Sequence, residues 1–199
     1  MATISAALVK QLREKSGAGI MDCKNALSEC GGDIDKAGDF LRKKGLATAK
    51  KRSGRAANEG TVQSYIHMGG KIGVLVKINC ETDFVAKTDH FKEFATNIAM
   101  HIAATNPLGI NIENISEKII KKEREIYRAQ ALEMGKPEKI VEKIVDGKIN
   151  SFFKESCLLK QSYVRDPNMT ISDLLNDVIA KTGEKITIER FARFQIGEA

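Results

Sequence analysis

TVQSYIHMGGKIGVLVKINC, residues 61–80, is a pair of alternating runs on either side of two glycines. Thr61 to Met68 and Lys71 to Cys80 each repeat with period two, the period of a strand with one buried face. In the second run Ile72, Val74, Val76 and Ile78 share a face. Gly69-Gly70 supplies the positive φ angles of a two-residue hairpin turn. Lys185 to Ile196 alternates again, with Ile186, Ile188, Ala192, Phe194 and Ile196 on one side. A hairpin early and a strand last predict a three-stranded, mostly antiparallel sheet closed by the C-terminal strand.

Around these strands the period changes to that of helices. Ile4, Leu8, Val9 and Leu12 follow Thr3 or Ser5 as a cap, and Gly17-Ala18-Gly19 turns the chain. Cys23, Ala26, Leu27 and Cys30 stack on a second helix that Gly31-Gly32 stops. Asp33 caps a third, with Ile34, Ala37, Phe40 and Leu41 inward. Helices this short need a shared core. After the hairpin, Phe91, Phe94, Ile98 and Ile102 line a helix opened by Asp89 and ended at Asn106-Pro107. Two helices meet at Gly135, the second starting at Pro137 with Ile140, Val141, Ile144, Val145, Phe152 and Phe153 as its apolar stripe. They form a helical hairpin over about 116–155. Thr170-Ile171-Ser172-Asp173 is a capping-box pattern for a last helix with Leu174, Leu175, Val178 and Ile179 inward, stopped by Gly183. The class is α+β: a three-helix head over 1–45, a basic, part-helical linker over 46–58, and an α+β core over 59–199.

Composition narrows the function. No apolar run approaches the roughly 20 residues that span a bilayer, and Met1 to Leu12 lacks the cationic and apolar regions of a secretory signal, so a cytoplasmic location is expected. Cys23, Cys30, Cys80 and Cys157 are scattered, and His67, His90 and His101 have no metal-ligand spacing. No metal or cofactor is expected. The net charge of +6 is local: 42–55 holds seven basic and no acidic residues, while the rest has 25 basic against 26 acidic. Without interleaved aromatics, this run reads as a solvated segment or a protein contact ahead of a nucleic-acid site, although clustered Lys and Arg also suit phosphate. Phosphate loops, dinucleotide fingerprints and nucleophile elbows are absent, which lowers the expectation of an enzyme.

Glu81-Thr82-Asp83-Phe84-Val85-Ala86-Lys87 follows the second strand, with an acid and a large aromatic where the chain turns toward a helix. Of two readings, the pattern alone favours the first. Thr82 or Asp83 caps the helix and Phe84 enters the core, or the turn inserts into a partner.

Three separated stretches resemble the elongation factor Ts family: Leu8 to Arg13 with Ser16 to Leu27, Asn79 to Ala86, and Leu158 to Asp166. The resemblance implies a head of the ubiquitin-associated type and a guanine-nucleotide exchange factor, not an enzyme, that promotes GDP release from elongation factor Tu. It implies that Thr82, Asp83, Phe84 and Val85 perturb the partner's Mg²⁺ and phosphate site. Arg13, Ile20, Met21 and Lys24 would contact the partner's GTPase domain, with Lys51 as a further contact. The single core resembles the short class of the family, which implies a homodimer, with the exposed sheet face as interface. No membrane and no specific nucleic acid are expected as partners.

Overall fold

The first and third helices start at caps written in the chain, Ser5 and Asp33. The computed structural model describes residues 4–52 and 54–198, with side chains for all but 46 and 48–51. Thr3 lies outside the described residues. Ser5 caps α1 (Ala6–Ser16), its hydroxyl accepting from the Leu8 N–H at 3.2 Å. Gly17, at φ 66°, ends that helix. α2 spans Ile20–Glu29 and α3 Ile34–Arg52. One Asp33 carboxylate oxygen accepts from the N–H groups of Lys36 and Asp35, and the Lys36 N–H, then the Lys36 amine, hold the carboxyl below its usual range. Val9, Leu12, Cys23, Ala26, Leu27, Ala37 and Leu41 form a core common to the three helices.

One expectation changes here. Phe40 is exposed, because Ile34, Ala37 and Leu41 already occupy the inward stripe at i, i+3 and i+7. The helical part of the expected linker is an unbroken extension of the third helix, through Gly45 to Arg52, where Ala and Lys favour helix. Gly45 has a packing reason: a Cβ there would stand 3.2 Å from that of Ala180.

The next elements are β1 (Glu59–Ile66), β2 (Ile72–Cys80), α4 (Asp83–Ala86), α5 (Asp89–Thr105), α6 (Glu117–Glu133) and α7 (Glu138–Ser156). They are followed by β3 (Ser162–Tyr163), β4 (Asp166–Thr170), α8 (Ile171–Thr182) and β5 (Thr187–Gln195). The sheet order is β1-β2-β5, and β3-β4 is a separate pair. β5 runs antiparallel to β2: the Ile196 N–H donates to the Lys71 carbonyl, while Lys77 pairs with Glu189. The β1–β2 turn is longer than two residues. Gly69 and Gly70 both take positive φ, but the closing bond joins the His67 N–H to the Ile72 carbonyl.

Chain contacts divide the protein into two compact units. One comprises Met1–Thr61, Ile78–Ala95 and Asp173–Thr187. Within it Arg42 pairs with Asp173 at 3.4 Å. The other comprises Val62–Lys77, Thr96–Ser172 and Ile188–Ala199. There α6 and α7 enclose Ala131, Val141, Val145 and Ile149, with Lys148 over the Tyr127 ring and Arg124 bonded to Asp146. Ile140, expected in the stripe, is exposed in the first turn of α7.

The last strand departs from its expected alternation. Ile186 and Ile188 are buried, but Glu189 and Arg190 are both exposed, so the outward set becomes Ala192, Phe194 and Ile196. Two successive outward residues invert the faces of everything after them. Phe194 and Ile196 are therefore 68% and 75% exposed, and Val62, Ile66 and Leu75 are also outward.

The β3–β4 hairpin was not foreseen. Its anchor is His101, fully buried, whose Nε2 lies 2.9 Å from the Gln161 amide oxygen and whose Nδ1 accepts from the Val164 N–H at 3.4 Å. Thr105 also donates to Gln161, and Tyr163 packs beside the imidazole. Burial holds the His101 pKa below 6.5, opposed by the Gln161 bond. The unfolded chain thus binds the proton first, so stability is full above about pH 6.5 and falls as pH drops toward the folded-state value. Urea midpoints between pH 7.5 and 5 should fall for the wild type, and more shallowly for His101→Gln. Equal slopes would show that another group carries the dependence.

Candidate functional site

Thr82 leaves β2 in an extended conformation and caps α4, its hydroxyl oxygen accepting from the Val85 N–H at 3.3 Å. α4 is a single turn, and its inward position is filled by Val85, which is 6% exposed. Phe84 is therefore turned out and is 80% exposed, which decides between the two readings of its packing: it is not a core residue. Burying such a ring would remove roughly 2 kcal/mol of unfavourable hydration. Asp83 is also exposed and is paired with Lys87 one turn on, at 2.5 Å. The Asp83 carboxylate raises the Lys87 amine pKa. An exposed pair at this spacing opens readily.

The turn is held from the α8–β5 connection. Glu184 Oε2 accepts from the backbone N–H groups of Glu81 and Thr82 at 3.1 and 3.0 Å, and Oε1 accepts from the Thr82 hydroxyl at 2.6 Å. In return Glu81 accepts from the Lys185 N–H at 2.6 Å and pairs with Arg55 at 3.2 Å. The Lys185 bond, then Arg55, hold the Glu81 carboxyl below its usual range. Cys80 donates its thiol to the Thr82 carbonyl. No pattern in the sequence joins 81–82 to 184–185, more than a hundred residues on.

A second surface lies on the helical trio. Ile4, Ala6, Val9, Lys10, Arg13, Ile20 and Lys24 line a groove of about 400 Å³. It brings together three of the four residues expected on the head, Arg13, Ile20 and Lys24. Met21 is exposed beside Ile20 but does not line it. Apolar walls edged by three cations suit a partner surface with an apolar ridge and acidic flanks. Lys51 lies on α3, and its side chain is outside those described. Of the basic run, Arg42, Lys44 and Arg55 are committed to Asp173, Asp22 and Glu81. Among the described residues there is no cluster fit to hold a metal ion, and no helix is long and apolar enough to cross a membrane.

Comparison with known proteins agrees with the sequence motifs. The family model described as elongation factor TS matches residues 46–198. An elongation factor Ts from Desulfosudis oleivorans is 67% identical over 198 residues, covering 100% of both chains. One from Syntrophobacter fumaroxidans is 61% identical, covering 98% of this chain and 97% of its own. One from Caldanaerobacter subterraneus subsp. tengcongensis is 59% identical, covering 98% of each. Identity at this level across the full length shows common descent and a common fold: the chain belongs to the elongation factor Ts family of translation elongation factors.

Proposed function

We propose that this chain is a guanine-nucleotide exchange factor of the cytoplasm that releases GDP from elongation factor Tu and forms no covalent intermediate. The observation that carries this reading is Phe84, a large aromatic held in solvent on one helical turn. In the proposed complex Phe84 enters the GTPase domain beside the nucleotide site, and its burial offsets the distortion it causes. Asp83 leaves Lys87 and disturbs the partner's Mg²⁺ environment, with Thr82 and Val85 holding the turn. Losing Mg²⁺ removes the charge that compensates the β-phosphate, so GDP leaves faster. Arg13, Ile20, Met21 and Lys24 dock the head, and Lys51 adds a contact. The head over 1–45 would dock and the core over 59–199 would carry the exchange turn, with the head and that turn in the same compact unit.

Such a factor works by coupling: it binds the nucleotide-free partner more tightly, and nucleotide must weaken it by the same factor. Titration of nucleotide-free factor Tu with the chain should give a tight complex that GDP and Mg²⁺ dissociate. An affinity indifferent to nucleotide would remove the proposal.

The same reading includes a homodimer carrying two factor Tu molecules. Val62, Ile66, Leu75, Phe194 and Ile196 support the sheet face as its interface, since they expose apolar side chains across all three strands. Sedimentation equilibrium should give a dimer at micromolar concentration, and Phe194→Asp should shift it to monomer by burying an unpaired charge. A wild-type monomer with full exchange activity would contradict the dimer.

A further inference from the structure

Phe84 is outside the packed interior, so neighbouring side chains do not fix its direction. Its aim is set by the backbone of one helical turn, and that turn has two anchors: Val85 inward and the Thr82 cap. The cap itself needs orienting. A threonine hydroxyl rotates, and it accepts from Val85 well only when its own proton points elsewhere. Glu184 provides that direction by taking the Thr82 proton at 2.6 Å. Its other oxygen fixes the peptide N–H groups of Glu81 and Thr82, the last before α4. Three donors thus converge on one carboxylate, and bonds to an ionised acceptor are about twice as strong as neutral ones.

The base of Glu184 is also secured. It follows Gly183, at φ 73°, which ends α8, and its own N–H reaches the Thr182 hydroxyl at 3.4 Å. The next residue, Lys185, donates its N–H to Glu81 and its amine to the Arg55 carbonyl. The two connections therefore hold each other reciprocally, at 81–82 and 184–185.

We infer that Glu184 is a positioning residue for exchange: its carboxylate orients the Thr82 cap and so aims Phe84 at the partner's nucleotide site. The inference rests on the proposed exchange function. Glu184 does not itself meet nucleotide or Mg²⁺. Its removal should slow the step at which the wedge displaces nucleotide while leaving docking through the groove unchanged.

The experiment follows release of a fluorescent GDP from factor Tu over a range of concentrations of full-length wild type, Glu184→Ala, Glu184→Gln, Thr82→Val and the double variant Glu184→Gln/Thr82→Val. Glu184→Ala should lower the maximal rate roughly tenfold, the loss of about one charge-assisted hydrogen bond, with the half-saturating concentration within about twofold. Glu184→Gln keeps one acceptor oxygen for the two N–H groups but turns an amide N–H₂ toward the hydroxyl, so it should recover part of the rate. Because it matches Glu in shape, it also answers the case in which the alanine variant folds poorly. The losses from Glu184→Gln and Thr82→Val should be less than additive, since both break the same bond. An unchanged maximal rate, a loss confined to half-saturation, or full additivity would overturn the positioning role. A wild type that does not accelerate release would instead overturn the exchange function on which it rests.

Discussion

Phe84→Ala should lower the maximal rate of GDP release from elongation factor Tu by roughly thirtyfold or more, the effect of removing an aromatic anchor worth about 2 kcal/mol or more. The folded chain should hardly notice. Phe84 is 80% exposed, and Val85 holds the turn to the interior. Exposed substitutions of this kind change stability by about 0.5 kcal/mol or less. Separation of the two quantities is the informative result. A ring that served the core would lose stability and activity together, whereas a wedge loses activity alone. Thermal melting beside the release assay reads both. A variant with normal release would show that the ring is a bystander, whatever its exposure.

Gly60→Val should have the largest effect on stability, about 3 kcal/mol or more. Gly60 lies in β1 at φ 141°, a conformation closed to side chains. A Cβ there would also stand 2.1 Å from the Ile78 carbonyl oxygen and 2.8 Å from the Asn79 Cα, both backbone atoms that cannot swing aside. The start of β1 would have to leave β2 just before the strand delivers Glu81 and Thr82 to their anchors. Urea denaturation followed by circular dichroism should show a much lower midpoint, or no cooperative transition. A midpoint near wild type would mean that the hairpin accepts a different register at its open end.

The reasons for what was legible in the chain are local. β2 reads correctly because one face is buried from Val74 to Cys80, so Val74, Val76 and Ile78 repeat strictly. Caps were partly legible because capping depends on side chains within three residues. Asp33 caps as read, and Ser5 and Thr82 were each one of two candidates. The hydroxyl before α5 that accepts from the Phe91 N–H is that of Thr88, not the expected Asp89 cap. The end of α3 was obscured by Gly45, whose retention inside a helix depends on Ala180, far away in the chain. β5 was misread because Glu189 and Arg190 both face outward, and nothing in their identities announces the step. At the site, an acid before an aromatic fitted both a cap-and-core turn and a protruding one. The outcome was decided by which of Phe84 and Val85 took the inward position, a matter of helix phase over a single turn. The groove residues Arg13, Ile20 and Lys24 came from the family resemblance; in the structure Cys23, Ala26 and Leu27 take the inward stripe of α2, which leaves Ile20 and Met21 outside. Glu184 had no signature at all, because its role is made by the meeting of two connections.

The most direct test is stopped-flow release of fluorescent GDP from elongation factor Tu, with Mg²⁺ present and excess unlabelled GDP as trap. Wild type should accelerate release strongly, the rate rising with concentration to a plateau, and Phe84→Ala at saturating concentration should leave most of that acceleration unmade. A release rate unaltered by the wild-type chain would contradict the exchange function.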